Sequence, residues 1–110
     1  METTELLKYL KFAQQSGYVL YINGIKGKSS KIYVDSYKSD KLEGRFCSSN
    51  KQMSYYYKNI VSCRFFVQAE QRKFEKWVCK EIYGEDTAKR IEYFKEYYKQ
   101  IIEKEPDKLQ

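Results

Sequence analysis

The chain has no histidine, so the side chain most often used for proton transfer near neutral pH is missing. Its three cysteines, Cys47, Cys63 and Cys79, form no Cys-x-x-Cys pair. An odd number at wide spacing, without histidine, argues against a disulfide framework and against a zinc site. Buried thiols in a reducing compartment are expected, with no metal and no other cofactor. No Gly-x-Ser-x-Gly elbow, His-Glu-x-x-His pair, phosphate-binding glycine loop or acidic metal triad occurs. Asp35 and Asp40 stand alone and read as turn residues. These absences predict a protein that is not an enzyme. There is a single proline, Pro106, and no apolar run near the roughly 20 residues that a membrane-crossing helix needs. Met1-Glu-Thr-Thr-Glu5 is acidic where a secretion signal opens with basic residues. A cytoplasmic protein without membrane partners is the expectation.

What the chain has in quantity is rings and positive charge. Its 12 Tyr, 6 Phe and 1 Trp supply large apolar area, and the tyrosines add a hydroxyl that suits both a thin core and an adhesive surface. Lys and Arg number 21 against 15 Asp and Glu, a formal net charge of +6. The excess is uneven. Residues 1–68 hold 11 basic and 5 acidic side chains, and residues 69–110 hold 10 of each. The whole excess belongs to the first part of the chain. A basic balance of that kind favours an acidic partner: nucleic acid, an anionic surface or an acidic protein.

At 110 residues the chain reads as one domain, 1–110, able to bury a core without staples. Leu6, Tyr9, Leu10 and Ala13 follow helical spacing, Thr3 or Thr4 can cap the start, and Gly17 can end it, predicting a helix over 4–16. From 18 to 67 the period is two. Tyr18-Val-Leu-Tyr-Ile22 is β-prone throughout. Asn23-Gly24 is a hairpin signal, and Gly27 with Ser29-Ser30 allows the loop to extend to Ser30. In the next run Ile32 and Val34 face one way, with Tyr33, Asp35 and Tyr37 opposite. Gly44 in Leu42-Glu-Gly-Arg-Phe46 suggests a bulge or sharp bend. Met53, Tyr55 and Tyr57 alternate with Ser54 and Tyr56. In the last run Val61, Cys63, Phe65 and Val67 oppose Ser62, Arg64 and Phe66. From Ala69 the period turns helical, with Phe74, Trp77, Val78 and Ile82 on one stripe and Ile91, Phe94, Tyr98 and Ile101 on a second. The predicted class is α+β: an N-terminal helix, a five-stranded SH3-like barrel or bent antiparallel sheet over 18–67, and a helical hairpin over 69–104.

The strand order resembles the WYL domain, a small SH3-like barrel of bacterial regulators and defence-associated proteins. The similar parts are Ile32-Tyr-Val-Asp35, Leu42-Glu-Gly-Arg-Phe-Cys47, and Tyr55-Tyr-Tyr-Lys-Asn-Ile60 leading into Val61-Ser-Cys63. The Trp-Tyr-Leu signature is absent; Lys41, Leu42 and Glu43 lie near its place, and Asn59 stands where the family often has an Arg. The resemblance implies an SH3-like barrel and a role that responds to nucleic acid or nucleotides.

Lysines and tyrosines interleave along the strands, which is what a binder of a phosphate backbone with exposed bases requires. Lys26, Lys28, Lys31 and Arg45 are the candidate phosphate contacts, and Tyr33, Tyr37 and Tyr56 the candidate stacking rings. The bland alternative is that the lysines only solvate the surface and many of the rings are core. Trp77, Tyr93 and Tyr97 give the helical part more aromatic surface than core closure needs, so they are candidates for a protein interface, including a homodimer. The leading expectation is a regulatory or accessory protein that contacts nucleic acid. The alternative is a phage or mobile-element inhibitor, anti-CRISPR-like, that occupies the substrate groove of a nucleic-acid-processing enzyme.

Overall fold

A computed structural model describes residues 1–83 together with 89, 91–93, 95, 96 and 99. Two compact units divide the chain, residues 1–74 and 75–110. The element order is helix α1 (Thr3–Ser16), strands β1 (Leu20–Gly24), β2 (Ser29–Tyr37), β3 (Lys41–Phe46), β4 (Gln52–Tyr56) and β5 (Ile60–Phe65), then helix α2 (Gln68–Tyr83). The fold is therefore α+β. The second helix of the expected hairpin falls largely outside the described residues.

Helix α1 begins one residue earlier than expected, and no side chain caps it; the Glu2 carbonyl instead accepts the Leu6 N–H at 3.0 Å. Gly17 ends it as anticipated. Its φ of 75° lets its N–H reach the Ala13 carbonyl at 3.0 Å, a conformation that a Cβ would penalise.

The strands form one antiparallel sheet in the order β4-β3-β2-β1-β5. Of a barrel and a bent sheet, the open sheet is what forms: β4 and β5 are its edges and no ladder joins them. Yet only a 3-10 turn, Tyr57–Asn59, links those two edges. Four strand spacings of a flat sheet span about 19 Å, whereas one such turn rises only about 6 Å. The sheet has to curl to let the chain cross. Two bulges help it do so. In β2 the register passes from Val34↔Gly44 to Ser36↔Glu43, leaving Asp35 unmatched. In β5 it passes from Asn23↔Ser62 to Gly24↔Ile60, leaving Val61 unmatched.

Each bulge overturns an expected alternation. Beyond Asp35 the parity flips, so Tyr37 pairs with buried Leu42 and no longer shares a face with Tyr33. Val61 is 56% exposed and lies off the Cys63–Phe65 side. The first turn also moves. Asn23 and Gly24 remain in β1, and the reversal falls on Ile25–Lys28, where Lys26 (φ 63°) and Gly27 (φ 72°) take the left-handed conformation. The Gly24 N–H closes that loop onto the Lys28 carbonyl at 2.6 Å. Tyr57 does not continue β4. It is buried in the 3-10 turn, its hydroxyl donates to the Lys38 carbonyl, and its N–H reaches the Asp40 carbonyl at 2.9 Å.

The core lies between α1 and the concave face of the sheet. Leu6, Leu10 and Ala13 of α1 are buried along with Leu20, Ile22, Ile32, Leu42 and Phe65. An aromatic cluster continues it: Tyr9 stacks on Phe74 at 4.0 Å, and Phe12 meets Phe65 edge-on at 5.6 Å. Gln71 ties the start of α2 to this cluster, accepting the Phe65 N–H at 2.8 Å and donating to the Tyr9 hydroxyl at 3.0 Å. Cys63 and Cys79 are buried and Cys47 is half-buried.

Two of these buried groups make the fold sensitive to alkali. Burial pushes the Cys63 thiol far above its ordinary 9.0, with the Glu5 charge adding to the effect. Burial, then the charges of Asp40 and Tyr37, raises Tyr57 above its ordinary 10.0, against the bond to Lys38. The unfolded chain releases both protons before the folded one does. The contribution to stability is whole below the unfolded values and is lost as pH climbs through the folded ones. Urea midpoints should hold steady from pH 7 to about 8.5 and fall beyond about pH 9, and Cys63→Ala should flatten the first part of that fall. A midpoint unchanged up to about pH 10.5 would show that neither group is held protonated by the fold.

Candidate nucleic-acid interface

Strand parity sorts the candidate residues. On the face away from the core, β5, β1, β2 and β3 present Arg64, Tyr21, Lys31, Tyr33 and Arg45, as the registers Tyr21↔Arg64, Tyr21↔Lys31 and Tyr33↔Arg45 require. There the cations lie over rings. The Arg64 guanidinium stands 5.4 Å from the Tyr21 centroid, the Lys31 ammonium 4.1 Å from that of Phe66, and the Arg45 guanidinium 5.3 Å from that of Tyr33. Each pair keeps a cation in place over a π face for about 0.5–1 kcal/mol at an exposed site. Phe66 is 43% exposed, which its apolar character alone does not favour.

A second cluster sits where β4 turns toward β5. Ile25, Lys26, Lys28, Tyr55, Tyr56 and Asn59 line a groove of about 340 Å³. Tyr56 is 47% exposed, with the Lys41 ammonium 5.9 Å and the Lys58 ammonium 5.8 Å from its ring centroid. The β1–β2 hairpin joins the two clusters in sequence, carrying Lys26 and Lys28 in its loop and Lys31 in β2. The structure thus brings Lys26, Lys28 and Tyr56 to one groove and Lys31, Tyr33 and Arg45 to one face. It leaves Tyr37 half-buried on the other side of the sheet.

The carboxylates of the sheet are already paired. Asp35 holds Arg45 at 3.1 Å, and Glu43 lies 3.5 Å from Lys38 and 3.7 Å from Lys41. Among the described residues Lys26, Lys28, Lys31, Lys58 and Arg64 have no carboxylate within ion-pair distance. The β1–β2 loop, the 3-10 turn and β5 carry cations available to an anion, while Arg45 is already neutralised. Tyr33 is also engaged on two sides: the Cys47 thiol approaches its hydroxyl at 3.8 Å, and that bond is the first cause of a phenol raised above its ordinary 10.0.

No group of three or more Cys, Asp or Glu side chains placed to hold a metal ion occurs among the described residues. No described helix is long and apolar enough to cross a membrane. In the second unit, Trp77 is half-buried and the Tyr93 hydroxyl donates to Glu75 at 2.6 Å; Tyr97 lies outside the described residues. Sequence reasoning counts Lys58 and Arg64 among the cations that punctuate the strands without choosing them as site residues, and it passes over Tyr21 and Phe66. The alternation in β5 carried the signal for two of them, because it set Arg64 and Phe66 opposite the core residue Phe65.

Fold and surface together define a small α+β domain with one curled antiparallel sheet and a cation-bearing aromatic outer face. No protein-family model matches the chain, and no curated protein matches it.

Proposed function

We propose that this is a non-catalytic regulatory or accessory protein of the cytoplasm that contacts nucleic acid through the outer face of its sheet and the adjoining β1–β2 loop. The observation that carries the reading is the pairing of rings with cations on one face, beside lysines that no carboxylate among the described residues neutralises. A phosphate backbone supplies the missing counter-charge, and unpaired bases supply planes for the rings. Lys26, Lys28 and Lys31 neutralise phosphates. Tyr56 and Phe66 offer the most accessible rings, Tyr33 a partly covered one. Arg45 orients Tyr33 rather than meeting phosphate, because Asp35 already holds it. The WYL resemblance enters this reading only through its strand order, carried here by a curled open sheet whose edges one 3-10 turn joins. Cys47 and Cys63 as free thiols fit a reducing compartment.

The test is fluorescence anisotropy with a labelled single-stranded oligonucleotide. Binding is expected at low salt and should weaken about tenfold or more between 50 and 200 mM salt, as release of counterions from several phosphates requires. Absence of binding at low salt, together with co-purification of a nucleic-acid-processing enzyme, would reassign the same surface to an inhibitor.

A further inference from the structure

Strand β4 offers an edge that nothing closes among the described residues. The Phe46 N–H meets the Lys51 carbonyl at 3.0 Å, so ladder bonding alternates from there, and Met53 and Tyr55 turn their backbone groups toward β3. Gln52, Ser54 and Tyr56 turn theirs away from the sheet. No hydrogen-bond partner for those groups is found among the described residues. The opposite edge is treated differently. In β5 the bulge at Val61 breaks the line of the strand, and the Gln71 side chain accepts the Phe65 N–H at 2.8 Å. Bulges and side-chain caps are how proteins blunt an edge against pairing. β4 has neither, nor a proline or a charge within Gln52-Met-Ser-Tyr-Tyr56.

We propose that β4 pairs antiparallel with β4 of a second copy of this chain, about a two-fold axis at Ser54. In that register Ser54 faces the second copy's Ser54, and Gln52 faces its Tyr56. Every outward N–H and C=O of the three residues then gains a partner, because all three have the same parity. A slip by one residue would set outward groups against inward ones and bring opposite faces together. Met53 meets the second copy's Tyr55 on the core side, a sulfur–aromatic pairing. No like charges oppose each other, since Lys51 falls opposite Tyr57. Gln52, Ser54 and Tyr56 are all exposed, so the edge is accessible. The absence of charge argues for a second copy over a charged foreign strand: the edge matches its own sequence.

A joint this short is expected to dissociate in the range of tens of micromolar. Sedimentation equilibrium from about 5 to 500 µM should show mass rising from monomer to dimer. Ser54→Lys sets two ammonium groups face to face on the axis and should weaken the dimer at least about tenfold while circular dichroism stays unchanged. In a Cys47→Ser background, Ser54→Cys should oxidise to a cross-linked dimer, because opposed residues of a hydrogen-bonded pair lie about 5.5 Å apart, within disulfide reach. Gln52→Cys, which faces Tyr56, should cross-link several-fold less. A constant monomer mass, a Ser54→Lys variant that dimerises as well as the parent, or equal cross-linking at 52 and 54 each overturns the proposal. So does a monomer whose Ser54 amide is protected from exchange only by an added extended peptide, since that assigns the edge to a foreign strand.

Discussion

Gly44→Ala is expected to lower the unfolding free energy by about 3 kcal/mol, a larger effect than any other glycine replacement in the sheet. A Cβ at Gly44 would stand 2.0 Å from the Tyr33 carbonyl oxygen and 3.1 Å from the carbonyl carbon. Both obstacles are backbone, so no rotamer change relieves them. The position is buried and faces Val34, one residue before β2 bulges at Asp35. The bulge drives the β2 backbone toward β3, and the missing side chain is what admits it. Relief would require β2 to straighten, which would cost the curl that brings the sheet edges together. For a domain whose total stability is on the order of 5–15 kcal/mol, this is a large share, and a fall in Tm of about 15 °C is expected. Gly17→Ala is the control. It meets only the strain of φ 75°, with no atom within 4 Å, and should lose about 1 kcal/mol. Thermal unfolding of the two variants beside the parent decides the matter. If Gly44→Ala melts no lower than Gly17→Ala, the close approach of β2 and β3 is not what the glycine serves.

The second large effect concerns binding. Replacing Lys26, Lys28 and Lys31 together with glutamate should weaken oligonucleotide binding on the order of 100-fold at low salt and lower the slope of log affinity against log salt by about two. Three cations without a carboxylate partner among the described residues become three anions along one hairpin, so attraction turns to repulsion. The fold should tolerate the change, because all three side chains are exposed and only the Lys31–Phe66 contact is lost. Lys26→Gly separates charge from conformation. It relieves the left-handed strain at φ 63° and should match or slightly exceed the parent in stability, yet still bind more weakly. Affinity retained by the triple variant would mean that phosphates sit elsewhere on the molecule.

The strands were legible because one face is buried and alternation records that burial. Ile32 and Val34, and Cys63 and Phe65, lie where period two puts them, whereas Leu20 and Ile22 alternate with half-buried Tyr21 in a run that has no polar break to show it. What alternation could not show was a residue that belongs to neither face. Asp35 and Val61 are ordinary in type, and only the partner strand makes them extra, so parity beyond each was misassigned. Gly44 hinted at the first bulge from across the ladder. The Asn23-Gly24 dipeptide misled for a related reason. Gly24 is held extended by pairing with Ile60 of a strand far along the chain, and the positive φ values pass to Lys26 and Gly27. The candidate site was legible in its cations, whose positions follow from loops and outer faces. It was less legible in its rings, because Tyr37 depended on the bulge and the engagement of Tyr33 depended on Cys47 and Arg45.

Strand β1 is flanked by β2 on one side and by β5, some 40 residues later, on the other. The meander from β2 to β4 can zip up from neighbours, but β1 is completed only by β5, the last strand among the described residues. Folding should therefore be limited by the arrival of β5, with a slow closure following fast hairpins. A nascent chain halted before Ile60 would leave Ile22 uncovered along an open ladder, which makes the stretch just after the 3-10 turn the point where synthesis commits the protein to its native form.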